Sequence, residues 1–388
     1  MKLDGLRVLD CSMYLPGPVI SRMMADHGAE VIRIESPSGE PSRRSGPFRN
    51  GESIWFANTH RGKKSLAVDL KQAAGAAVVQ QLAGTADVFI EGFRPGVAAR
   101  LGIDAATLRA INPRLVYCSL SAFGQFGPLS GMGSHDMGAQ AYTGLLALND
   151  DGVGDPVVPG LPGADMACAM TGLSAILMAL LRRETTGEGD YADIAMYDSL
   201  LAWTAHLSGS VLADRQAPRT ATHRSIGGAA LYNIYRTQDG RHLALTGRER
   251  HFASALLPLL GLGDLLDGYT EEPGSYQQTL IGRLRDSFAS RPLCEWIAAL
   301  DGTGVSFAPI LDMVEAYDHP HILAREMVVS DERNALYTGD PIKFAAEPGQ
   351  PNGTAPALGE HADALLRDIG YSADRIRDLR SDGVLVSA

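Results

Sequence analysis

Cysteine is scarce in this chain and poorly spaced for joint work: there are four, Cys11, Cys118, Cys168 and Cys294, and no two form a CxxC pair. That spacing argues against a zinc site and a disulfide framework, and fits a protein kept in a reducing compartment, the cytoplasm. Surplus positive charge is missing too, with 34 Lys and Arg against 45 Asp and Glu for a formal net charge of −11. An acidic field attracts neither nucleic acid nor anionic membrane, which leaves room only for local basic patches that hold a phosphorylated ligand. No apolar run reaches the roughly 18 residues of a membrane span, and the start, MKLDGLRVLDCS, lacks the basic and apolar regions of a secretory signal. The longest candidate, 166–181, is interrupted by Thr171, Gly172 and Ser174 and reads as a buried helix. Three fingerprints are absent as well. No GxGxxG follows the first strand, where the residues are CSMYLPGPV, and there is neither a GxxxxGK[ST] P-loop nor an HExxH. A nicotinamide enzyme, a P-loop enzyme and a zinc protease are thereby disfavoured.

What is present is 388 residues, about 45% hydrophobic and 20% charged, enough for a sizeable core and more than one domain. Short β-branched runs alternate with helical patterns: strands at 6–9, 31–34, 66–70, 88–90 and 115–119, and helices at 18–27, 71–82 and 105–111. Repeated βαβ units predict an α/β fold with a parallel sheet covered by helices, and the nearly unbroken apolar runs suit strands buried on both faces. Glycine and proline crowd the segment 124–163, where two loops flank a short helix and form a candidate site wall. A long apolar helix over 164–181 follows, then a strand over 191–195. The run LYNIYRTQDGRHLALTG predicts a hairpin, and 362–369 a last helix. The expected organisation is a large Rossmann-like domain over 1–210 completed by a tail over 345–388, a linker over 211–227, a smaller α+β domain over 228–325 and a return linker over 326–344.

Several side chains suit chemistry. Arg61, Lys63 and Lys64 precede a strand, Lys71 follows it, and Arg94 and Arg100 open the next helix, where cations and backbone N–H groups hold phosphates; solvated helix ends are the bland alternative. His135 and Asp136 end a Gly-rich loop, and Asp165 opens the apolar helix. Asp165 reads either as an N-terminal cap or as a carboxylate whose ionised form the helix dipole stabilises, which suits a nucleophile or a base of low pKa. Glu249, in TGRERHF, is a third candidate, although charged residues in such turns are usually solvated.

These motifs converge. LDGLRVLD, GPVISRMMADHGAEVIRIE, NTHRGKKSLAVDLK, FRPGVAARLG, NPRLVYCSLSAFGQFGP, SHDMGAQAYTG, ADMACAM, TTGEGDYADIAMYDSLLAW, YRTQDGR, DPIKF and ALGEHADALLRDIGYS resemble, in order and over essentially the whole chain, the family III CoA-transferases and the α-methylacyl-CoA racemases that share their fold. The resemblance implies an interlocked homodimer, coenzyme A or acyl-CoA as substrate with a carboxylic acid, and no tightly bound cofactor or metal. It implies CoA contacts along Ala67, Val68, Asp69, Leu70 and Lys71, at Phe93, Arg94 and Arg100, and at Asp136. In the transferase branch, the position of Asp165 attacks the thioester to give a mixed anhydride and then an enzyme CoA thioester. In the racemase branch, Asp165 and His135 exchange the proton alpha to the thioester, and Glu249 supports His135.

The two branches divide the motifs. The insertion around GPFRNGESIWFANTHRGKK, GAQAYTG and ADMACAM favour the transferase; His135 and Glu249 favour the racemase. Ser36 stands where some members carry a CoA-contacting arginine, and Leu15 where oxalate-type transferases carry a glutamine, so oxalate is not the expected acid. CoA transfer is the preferred reading. Loop amides at Gly131–Ser134 or Gly227–Gly228 are candidates to hold the oxyanion or shield the anhydride. A non-catalytic CoA-binding subunit is a third reading, and it would be expected to lack the central carboxylate.

Overall fold

The computed structural model of the chain describes residues 1–150, 154–331, 334–351 and 353–386. Residues 151–153 of the Gly- and Pro-rich segment, 332–333 of the return linker, and 352 and 387–388 of the tail lie outside the described ones.

Six strands build a parallel sheet: β1 (Arg7–Cys11), β2 (Glu30–Glu35), β3 (Lys64–Val68), β4 (Val88–Glu91), β5 (Val116–Ser121) and β6 (Tyr191–Ala195). Their spatial order is β3-β2-β1-β4-β5-β6, and the C-terminal strand Leu385–Val386 extends the β3 edge antiparallel. The order reverses direction between β1 and β4, the switch point of a Rossmann-like sheet, and ligands of such sheets bind beyond the carboxyl ends of the strands there. The predicted strands fall where these lie, because both faces of the sheet are covered and each strand needs a continuous apolar run.

One face packs Leu9, Ile32, Leu66, Phe89 and Tyr117 under the helices Ala73–Ala83, Ala105–Ile111, Ala362–Asp368 and Ala373–Ser381. The other packs Val8, Val31, Val88, Ile90 and Cys118 under α1 (Pro16–Asp26) and the long helix that runs over Gly163–Thr186. The long helix approaches closely because Gly172 has no side chain: a Cβ there would sit 2.8 Å from Ile20 and 3.2 Å from Leu120. By length and composition this helix could cross a membrane. One of its faces, with Ala169, Leu173 and Ile176, is instead part of the core.

The chain divides into two compact units: Met1–Thr143 with Leu161–Trp203 and Pro320–Ala388, and Gly144–Gly160 with Thr204–His319. The second has its own core and a three-stranded antiparallel sheet of Tyr232–Arg236, His242–Thr246 and Phe307–Pro309, with helices Arg250–Leu259, Ser275–Phe288 and Leu293–Leu300. The stretch expected as a linker over 211–227 begins inside the helix Ser208–Asp214, and 144–160 groups with the second unit rather than with the first.

Candidate active site

At the switch point, a pocket of about 420 Å³ opens beyond β1, β4 and β5. Its walls are the turn after β1 (Ser12 to Gly17), the turn after β4 (Gly92 to Val97), the end of β5, and the Gly-rich loop that runs to His135; Asp165 and Met196 complete it. The first Gly-rich loop thus lines this pocket. The pocket brings together four of the expected residues, Phe93, Arg94, His135 and Asp165.

His135 is the N-cap residue of α2 (Asp136–Tyr142), and its ring stands edge-on to Tyr14, with centroids 5.7 Å apart. Tyr14 holds the left-handed φ of 64° that a non-glycine residue rarely adopts, and its N–H donates to Glu40 at 2.9 Å. Strain of this kind gathers at functional sites. Nothing in the residue pattern marks Tyr14 as a site residue beyond its place in the turn after the first strand.

Asp165 is in the first turn of the long helix, α3 (Gly163–Thr186). The low pKa expected from the helix dipole is not found. Burial raises the Asp165 carboxyl, and the nearby Asp136 carboxylate adds to it, to about 7. The reason is local: the Asp136 side chain accepts the N–H groups of Ala164 at 2.7 Å and Asp165 at 3.1 Å, which would otherwise solvate an ionised Asp165. The capping role weighed for Asp165 therefore belongs to Asp136. Glu91, buried at the end of β4, is also pushed to about 7 by burial, against the Ser119 hydroxyl and the Phe93 N–H; the latter donates to it at 2.7 Å and fixes the turn that carries Phe93 and Arg94.

The six cations sort into two groups. Lys63 is fully buried and donates to Asp10 at 3.1 Å and Ser21 at 2.7 Å, Arg61 is buried against Asp26 at 2.9 Å, and Lys64 pairs with Glu30. These three hold the fold, not phosphates, which corrects the expectation from spacing. Burial lowers Lys63 to about 8 even though Asp10 opposes the shift. Burial alone would raise Asp10, but Lys63 and Arg33 hold it well below the usual carboxylate range. Asp10 in turn accepts from the hydroxyl of Ser12, a pocket residue, at 2.5 Å. Lys71, Arg94 and Arg100 are exposed and have no acidic partner among the described residues. Arg94 lies against Gly133, where a Cβ would come within 2.4 Å of its guanidinium.

Ala67 and Val68 offer a ligand no exposed atom, since both are fully buried in β3 between β2 and the strand Leu385–Val386. They are corrected as contacts, and Asp69, Leu70 and Lys71 in the turn after β3 are the accessible part of that segment. Glu249 belongs to the second unit, exposed at the N-cap of the helix Arg250–Leu259. Gly227, with φ of 94°, belongs to that unit also. Among the described residues the Ser36 hydroxyl bonds locally, to Ser38 and Gly39, and Leu15 packs at the start of α1.

A measurement separates the two groups of cations. Lys63→Met takes from Asp10 one of its two buried cations, leaving Arg33 at 3.2 Å, and should destabilise the protein by roughly 3 kcal/mol in urea unfolding. Lys71→Ala should leave unfolding unchanged and raise the KM for acyl-CoA by about fivefold or more, the loss of one charge-assisted contact. A stable Lys63→Met protein with a raised KM would reverse the assignment.

The profile of CoA-transferase family III matches residues 3–362. Succinyl-CoA:glutarate CoA-transferase of Homo sapiens is 29% identical over 395 residues, covering 99% of this chain and 90% of that one. Alpha-methylacyl-CoA racemase of Homo sapiens is 31% identical over 402 residues, covering 100% of this chain and 98% of that one. Among solved structures, a CAIB/BAIF family protein from Brucella suis superposes with a TM-score of 0.83 at 28% identity, covering 95% of this chain and 99% of that one.

Proposed function

The chain belongs to CoA-transferase family III, and from that premise we propose that it moves coenzyme A from an acyl-CoA to a carboxylic acid through covalent chemistry on Asp165. One observation carries this reading: the Asp165 carboxylate stands at the pocket wall with no hydrogen-bond partner among the described residues, while the bonds that would bind it go to Asp136. A desolvated, unbonded carboxylate is a stronger nucleophile than a solvated one.

In the first step, an Asp165 oxygen attacks the thioester carbonyl, the C–S bond breaks, and the CoA thiolate leaves a mixed anhydride behind. The thiolate then attacks the Asp165 carbonyl of that anhydride and releases the donor acid as its carboxylate. The acceptor carboxylate attacks the resulting enzyme thioester and expels the thiolate again. Attack of the thiolate on the acceptor acyl group restores Asp165 and yields the new acyl-CoA. Developing negative charge on the thioester oxygen is met by amides of the Gly131–Ser134 loop, which lines the pocket. Lys71, Arg94 and Arg100 are the cations suited to the CoA phosphates, with Phe93, Asp69 and Leu70 beside them.

The racemase reading is favoured by one specific observation: His135 lines the same pocket as Asp165. Two ionisable groups on one pocket suit removal and return of an alpha proton. The homodimer and the cytoplasmic setting belong to the same proposal. Support for a partner surface comes from α3, where Met178 is 69% and Leu181 75% exposed.

The pH dependence follows from Asp165 at about 7. Only its ionised form attacks, so kcat/KM should rise as pH is raised through about 7 and then level off. A transferase profile flat from pH 5 to 8 would contradict the role of Asp165.

A further inference from the structure

Every backbone N–H in the first turn of α3 has an acceptor. Gly163 donates to Leu161 O at 2.8 Å and Met166 to Pro162 O at 3.1 Å; Ala164 and Asp165 donate to the Asp136 carboxylate. The N-cap residue, Pro162, has neither a capping side chain nor an N–H. A carboxylate three residues into a helix ordinarily reaches back to the N-cap N–H or takes the free N–H groups of its own turn. Both routes are closed to Asp165.

We propose that Asp136 is the positioning residue of the catalytic helix: its carboxylate closes the first turn of α3 from 28 residues upstream and so keeps the Asp165 side chain free in the pocket. This rests on the reading of Asp165 as the reacting group, and it replaces the expected role of the Asp136 side chain as a CoA contact. The Asp136 carboxylate is itself fixed. Its second oxygen accepts from Gln140 at 2.7 Å, one turn further along α2, and Gln140 is buried. Asp136 thus ties the start of α2, where His135 is the cap, to the start of α3, where Asp165 stands, through two hydrogen bonds.

Charge accompanies geometry. Tyr14, Arg94 and His135 share the pocket with Asp165, Cys118 and Asp193 come from β5 and β6, and Asp198 from the helix Met196–Ala202 that packs on α3. Of all these groups only Asp136 adds to burial in raising the Asp165 carboxyl. Asp136→Asn keeps an oxygen to accept the two N–H groups and removes the charge; Asp136→Ala removes both.

With Asp136→Ala, the Asp165 carboxylate folds back onto its own turn, and kcat should fall by about 100-fold, the scale of an ångström of misplacement, with the KM for acyl-CoA unchanged. Asp136→Asn should restore kcat to within a few-fold of the parent. The deciding experiment is a carbon-13 NMR titration of the Asp165 carboxyl in the ligand-free protein, assigned by its loss in Asp165→Asn. The expected result is a midpoint for Asp136→Asn that moves down from that of the parent protein toward the ordinary carboxylate range. An unchanged midpoint, or a KM for acyl-CoA raised equally in both Asp136 variants, overturns the proposal. Because the titration requires no turnover, it stands or falls apart from the covalent mechanism.

Discussion

Asp165→Ala should abolish acyl-CoA processing, with a fall in kcat on the order of 10⁴-fold or more, the scale seen when an enzyme loses its nucleophile. The expected loss does not depend on the branch of the family, because the transferase loses the atom that attacks and the racemase loses one of two proton carriers. The fold should be unaffected. The carboxylate makes no hydrogen bond among the described residues, and the helix it stands on is capped by Asp136. Replacing it removes a half-buried, partly destabilised charge, so urea unfolding should show equal or slightly higher stability. An unfolded Asp165→Ala protein would mean that Asp165 is structural after all, and a folded one that retains most of its turnover would remove it from the chemistry.

His135→Ala separates the two branches. His135 is exposed, makes no cap bond through its ring, and touches Tyr14 edge-on. In a transferase its loss reshapes the pocket wall but leaves the nucleophile, so kcat should stay within about tenfold of the parent, less than general acid–base catalysis contributes. In a racemase the same change removes the group that returns or takes the alpha proton, and the exchange should fall by about 10²–10⁴-fold. The assay is acyl transfer to a carboxylic acid in parallel with alpha-deuterium exchange in D2O. Retained transfer with no exchange in either protein supports the proposed reading, whereas exchange in the parent that disappears in His135→Ala supports the other.

The sheet was legible because its strands are covered on both faces and so must be written as nearly continuous apolar runs, as in VIRI, broken only by Arg33, and VFI, which Glu91 ends. The pocket's position followed from the strand order, which the βαβ rhythm implies but no single motif displays. Charges were the least legible part. Lys63, Lys64 and Lys71 lie within nine residues of one another, and nothing local tells that Lys63 turns inward to Asp10, over fifty residues away in the chain, while Lys71 stays in solvent. The same limit hid the cap of α3. Pro162 at the helix start signals only that the usual cap is missing, and the carboxylate that replaces it comes from a different helix. Burial raises the Asp165 carboxyl and the charge of that carboxylate adds to it, so a reading of the helix dipole alone has the wrong sign. Glu91 reads as the end of an apolar strand, and its bond to the Phe93 N–H becomes visible only when the turn after β4 is seen to fold back over it.

In the proposed mechanism Asp165 becomes covalently linked to coenzyme A. The most direct test of that link is to mix the full-length protein with an acyl-CoA in D2O, quench within seconds, and measure both the peptide that carries Asp165 and the thioester by mass spectrometry. The expected result is an Asp165 peptide heavier by coenzyme A less one water, the gain absent in Asp165→Asn, and no alpha-deuterium in the thioester. Alpha-deuterium in the thioester with an unmodified Asp165 peptide would contradict it.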